Sequence, residues 1–174
     1  MPRGLQNLEL GASSVDINND GLRDIIIAGW GETTHLFLQQ KDGRFQDITD
    51  MAGFIPPIDG NGAFWADINI DGHLDLFITD EHHVNHLYLG DGRGRFRNVS
   101  QSWGITDKQV SQGAAFADVD RDGYPDLYVC NWFAPDKFYR NERGTGFTAV
   151  SLNIPHLQQP FNSNGVSFAD MDND

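Results

Sequence analysis

Asp16 to Asp24 reads DINNDGLRD, Asp67 to Asp75 reads DINIDGHLD, and Asp118 to Asp126 reads DVDRDGYPD. A fourth copy opens at Asp170 as DMDND and reaches Asp174, the last residue. The first three copies start 51 residues apart, and the fourth starts 52 after the third. A period near 50 residues marks a repeat architecture, in which no unit can bury its apolar face alone and each is covered by its neighbours.

The repetition extends well beyond the acidic stretches. Five residues before each first aspartate stands a glycine: Gly11, Gly62, Gly113 and Gly165. Each complete stretch is followed by an apolar run, Ile25 to Ala28, Leu76 to Thr79 and Leu127 to Cys130. A second run follows (Leu36–Leu38, Leu87–Leu89, Phe138–Tyr139), then a glycine-containing turn, then a phenylalanine at Phe45, Phe96 or Phe147. Each unit thus offers four short runs rich in Val, Ile, Phe and Tyr, with no room for a helix of the usual ~11 residues. Four strands in about 50 residues is the size of a β-propeller blade. The sequence predicts an all-β chain of antiparallel blades, with units at about 9–59, 60–110 and 111–161 and a partial one at 162–174. Phe64, Trp65, Phe116 and Phe168, just ahead of the loops, read as packing between blades. Ser14 breaks this pattern in the first unit. Propellers have typically four to eight blades. The expectation is therefore a piece of a longer chain, cut inside its fourth blade, with the missing blades supplied elsewhere.

Composition narrows the partners. The net charge is −13, from 25 acidic against 12 basic residues, and 13 of the acidic ones lie in the four stretches. Such a field repels nucleic acid and anionic lipid, and acidity this localised points to cations. No apolar stretch approaches the ~18 residues of a membrane helix. MPRGLQNLELG at the start lacks the apolar core of a secretory signal. The single cysteine, Cys130, excludes a disulfide within the chain and reads as a buried strand residue.

The shared pattern DxDxDGxxD, with Asn allowed third, suits a hard divalent cation. Calcium takes six to eight oxygens, and alternate residues of a tight loop can direct theirs to one centre. The expected side-chain ligands are Asp16, Asn18, Asp20 and Asp24; Asp67, Asn69, Asp71 and Asp75; and Asp118, Asp120, Asp122 and Asp126. Leu22, His73 and Tyr124 offer backbone carbonyls, and Asp170, Asp172 and Asp174 form a partial site. The sixth-position glycine permits a sharp reversal. Two carboxylates ~5 Å apart repel by roughly 3 kcal/mol at an effective dielectric near 20, so a cation favours the closed loop. Magnesium is the lesser fit because it demands tighter octahedral geometry. An EF-hand also begins DxDxDG but needs a Glu at position 12 and flanking helices; here that position is Ile27, Ile78 or Val129.

GAAFADVDRDGYPDLYVCNWFAPDKFYRN, with its parallels GAFWADINIDGHLDLFITD and NHLYLGDGRGRFRNVS, resembles the FG-GAP/VCBS repeat of integrin-α-type propellers. More narrowly it is similar to the cartilage acidic protein and ASPIC/UnbV group. The resemblance spans residues 9–174. It implies a calcium-bearing propeller of about seven blades in a secreted, periplasmic or cell-surface protein, with a role in adhesion or carbohydrate contact.

Other groupings carry less. Glu81 to His86 (EHHVNH) tempts a zinc reading, but His86 matches His35 one repeat earlier, and adjacent His82 and His83 point apart on an extended chain. Trp30 and Trp132, at equivalent positions, suit packing under a loop better than stacking on a sugar or partner. No nucleophile, phosphate-loop or HExxH motif occurs. A non-catalytic module presenting loops to a protein or glycan is the favoured class. The alternative is the propeller part of a polysaccharide lyase or glycoside hydrolase, for which Tyr139, Arg140, His82 and His83 are the available groups.

Overall fold

The computed structural model describes residues 11–29, 34–54, 60–80, 84–151, 154, 159 and 161–171. The chain runs β1 (Gly11–Val15), β2 (Asp24–Ala28), β3 (His35–Gln39), β4 (Phe45–Asp47) and the single-turn α1 (Thr49–Ala52). Next come β5 (Gly60–Ala66), β6 (Asp75–Asp80), β7 (His86–Gly90) and β8 (Phe96–Asn98). Then follow β9 (Val110–Ala117), β10 (Asp126–Ala134), β11 (Lys137–Asn141) and β12 (Phe147–Val150), with short β13 at Phe161–Asn162. Each set of four strands forms one antiparallel sheet in chain order, and β13 adds to the far end of β10. These are the blade-like sheets expected, and among the described residues they are not closed into a ring.

The middle strands explain why the apolar runs are continuous instead of alternating. On β6, Leu76 and Ile78 pack with Ile17, Ile26, Leu36 and Ile48 of the first sheet. Phe77, pointing the other way, packs with Leu127, Val129 and Tyr139 of the third. A strand covered on both faces carries apolar residues at successive positions. On β2, by contrast, Ile26 is buried while Ile25 and Ile27 are only half-buried.

The aromatics ahead of the loops do join neighbouring sheets. Trp65 packs into the cluster between the first two sheets, and its Nε1 donates to Ser13 Oγ at 2.7 Å. Phe64 and Phe116 enter the second cluster, Phe116 meeting Phe77 edge-on. Phe168 lies edge-on to Tyr128 but stays 40% exposed. The repeated glycine has its own reason. A Cβ at Gly113 would stand 2.5 Å from the Asn164 carbonyl oxygen, and one at Gly11 would collide with that of Asn61. At Gly11 and Gly113 only glycine lets the backbone of the next unit approach so closely.

Candidate cation loops

The three acidic stretches connect β1 to β2, β5 to β6 and β9 to β10, always between strands. All three loops are held by one hydrogen-bond pattern. In the first, the Asp16 carboxylate accepts from Asp20 N at 3.1 Å and Gly21 N at 2.8 Å. Asn18 Oδ1 also accepts from Asp20 N, and Asp20 Oδ1 accepts from Leu22 N at 2.8 Å. The second loop repeats this with Asp67, Asn69, Asp71 and His73, the third with Asp118, Asp120, Asp122 and Tyr124. Side-chain oxygens from positions 1, 3 and 5 are thereby turned inward over the loop.

The backbone reversal uses two left-handed residues. Position 4 has φ of 58° at Asn19, 57° at Ile70 and 60° at Arg121, a conformation asparagine visits readily and β-branched Ile70 rarely. Position 6 has φ of 85°, 87° and 95° at Gly21, Gly72 and Gly123. Nothing lies within 4 Å of a Cβ built there, so glycine is needed for its conformation and not for space.

The ninth-position aspartates differ from the rest. Asp24, Asp75 and Asp126 are each 1% exposed. One carboxylate oxygen accepts from position 2 of the same loop: Ile17 N at 3.0 Å, Ile68 N at 3.0 Å, Val119 N at 3.1 Å. The other accepts from the end of the third strand: Gln39 N at 2.9 Å, Gly90 N at 2.9 Å, Asn141 N at 2.8 Å. Each therefore clamps its loop to its hairpin. Burial pushes these carboxyls up, against the lowering effect of the two N–H bonds, and the loop's other carboxylates add to the rise. Asp75 is pushed up to about 6.

That shift has a testable sign. A carboxyl with a higher pKa folded than unfolded binds its proton more tightly when folded, so its stabilisation grows as pH falls. In chelator, the urea midpoint is expected to be higher at pH 5.5 than at pH 7.5. A lower midpoint at pH 5.5 contradicts the assignment. Asp42, Asp47 and Glu142, held low by Arg44, Thr49 and Arg140, act in the opposite direction, but only below about pH 4.5.

The loops are not identical. Asn18 and Asn69 donate their amides to Asp20 Oδ2 at 3.0 Å and Asp71 Oδ2 at 2.9 Å. In the third loop Asp120 replaces that amide, and carboxylate oxygens of Asp118, Asp120 and Asp126 lie within 4.8 Å of one another. Arg143 offsets part of this charge, its Nε 3.5 Å from Asp122 Oδ2. An all-oxygen donor set of this kind fits a hard cation such as calcium. The His73 ring is packed against Gly92, where a Cβ would collide with it, which leaves its carbonyl as the group available to the loop.

Sequence reasoning did not pick out Gln39, Gly90 and Asn141, which complete the clamps. Their 51-residue spacing was a signal, but their differing side chains hide a role performed by the backbone N–H.

The remaining groupings fall as follows. His86 Nε2 is 3.4 Å from buried Asp80 Oδ2 and the ring stacks on Tyr88; His35 pairs differently, with Asp47 of β4 at 3.7 Å. Cys130 is buried and its thiol pushed up to about 11 by desolvation. Trp132 Nε1 donates to Asn164 Oδ1 at 2.6 Å. Tyr139 is buried in the core, and Arg140 pairs with Glu142 at 2.9 Å. Asp170 is exposed. Trp30, Glu81, His82, His83, Asp172 and Asp174 lie outside the described residues.

Blade-like sheets in tandem, each with an oxygen-lined loop between its first two strands, define a repeat protein of the β-propeller class. The FG-GAP-like repeat family matches residues 16–78, 67–129 and 118–174, and the chain belongs to that family. It is 30% identical over 131 residues to cartilage acidic protein 1 of Mus musculus and, to the same extent, of Homo sapiens, covering 74% of this chain and 20% of each relative. It is 28% identical over 145 residues to integrin alpha-8 of Mus musculus, covering 66% of this chain and 13% of the integrin. The chain thus spans about a fifth or less of the relatives it matches.

Proposed function

We propose that this chain is a calcium-stabilised, non-catalytic interaction module of a secreted, periplasmic or cell-surface protein, in which further blades complete a propeller of about seven. The observation that carries this reading is the loop built three times with one hydrogen-bond pattern on a family frame. Bound calcium supplies positive charge and an oxygen-seeking centre. The chain's part is to hold the oxygens of positions 1, 3, 5 and 9 and the carbonyls of Leu22, His73 and Tyr124 around it.

The partner reading, a protein or glycan, is supported by the last residues of β10, just ahead of the turn into β11. There Phe133 stands 73% exposed at φ 59°, against the edge of Trp132. A bulky residue held left-handed and in water costs about 1–3 kcal/mol that burial does not offset, which makes it a candidate contact. The turn beneath it is firmly tied, Asp136 accepting from Asn131 N at 2.8 Å and Tyr128 OH at 3.0 Å.

Calorimetric titration with calcium tests the module's metal dependence and its compartment together. Three sites are expected, with Kd on the order of 10⁻⁴ to 10⁻³ M, as in extracellular modules. Absence of binding refutes the metal reading, and nanomolar affinity refutes the extracellular one.

A further inference from the structure

Resting on the calcium reading of the loops, we propose that the second and third loops bind calcium as a coupled pair linked through Asn141, while the first binds on its own. Asn141 ends β11 and is 2% exposed. Its N–H holds Asp126 Oδ1 at 2.8 Å, the ninth position of the third loop. Its Nδ2 donates to Pro125 O at 2.9 Å in that loop and to Ile68 O at 2.9 Å, position 2 of the second. Ile68 in turn donates its N–H to Asp75 Oδ2 at 3.0 Å. An unbroken hydrogen-bonded path thus joins the two buried aspartates across the boundary between sheets.

The same hairpin touches both loops again. Gly144 donates its N–H to Asn141 Oδ1 at 2.8 Å, and a Cβ there would stand 2.9 Å from Asn69 Cα. The other repeats lack this bridge. Gln39 turns its Oε1 to Arg23 N within its own unit, and Gly90 has no side chain. Between the first and second loops Asn19 Nδ2 reaches Gly72 O only at 3.5 Å, in an exposed position. A cation that orders the second loop fixes Ile68, and through Asn141 the carboxylate of Asp126, so the third loop has less left to order when it binds.

Loop-resolved calcium titration by amide NMR tests this, because Gly21, Gly72 and Gly123 each report one loop. Asp71→Ala is expected to raise the calcium midpoint of Gly123 by about fivefold or more while leaving that of Gly21 in place. In an Asn141→Gly background, or Asn141→Gln should the glycine variant not fold, the same change is expected to leave Gly123 within about twofold. The coupling is refuted if Asp71→Ala leaves Gly123 unmoved in the parent, or moves it equally with and without Asn141. Three independent midpoints overturn this inference alone, whereas three unmoving resonances overturn the calcium reading and the inference with it.

Discussion

Asp75→Asn is expected to destabilise the calcium-free protein by about 1–3 kcal/mol at pH 7.5, because the substitution leaves a buried donor facing a donor and relief of the buried charge offsets only part of that. The carboxylate accepts Ile68 N on one oxygen and Gly90 N on the other, and its surroundings exclude water. An amide has one oxygen, so its NH₂ must confront one of those N–H groups. Asp71→Asn is the contrasting variant. Asp71 is exposed: its Oδ1 accepts from His73 N, and water can replace the bond that Asn69 Nδ2 gives its Oδ2. It is expected to cost less than about 1 kcal/mol without calcium. Both changes are expected to weaken calcium binding, so urea midpoints in chelator separate the clamp from the ligand. Equal midpoints for the two variants would show that the ninth aspartate has no structural role of its own.

A thermal midpoint more than about 15 °C higher in calcium held about a hundredfold above Kd, on the order of 10 to 100 mM, than in chelator is the second large effect. A ligand bound only by the folded state adds about 2.7 kcal/mol per site at a hundredfold excess over Kd. For a chain of this size each kcal/mol is worth about 2–4 °C. Three loops acting together therefore suffice for such a rise. Removal of the cation also returns the carboxylates of each loop to mutual repulsion, in the same direction. A cooperative melt with the same midpoint in both conditions would reduce the aspartates to a solvated surface.

The unit, its four strands and the loop between the first two were legible because each left a periodic mark. The glycine ahead of each loop, the apolar runs and Phe45, Phe96 and Phe147 all recur in register. Trp65 and Phe116 were correctly read as inter-sheet packing because a large aromatic beside a strand needs a covered face. Less legible was the division of labour within DxDxDGxxD. Four acidic positions look alike in sequence, yet Asp24, Asp75 and Asp126 are buried and tied to the backbone while position 5 is exposed or half-buried. Nor could Asn141 be singled out, since its role depends on a neighbouring unit 73 residues away at Ile68. Phe133 went unnoticed because its exposure follows from a left-handed backbone that no residue type at that position announces.

The two-sided burial of β6 has a consequence for how the chain comes apart. Leu76 and Ile78 depend on the sheet before, Phe77 on the sheet after, so the middle sheet owns no private core. Free energy in such a row resides at the boundaries, as in a one-dimensional chain of nearest-neighbour couplings. Loss of the middle sheet dissolves both of these boundaries together. β6, which contributes to both clusters, therefore cannot leave without opening the two boundaries at once.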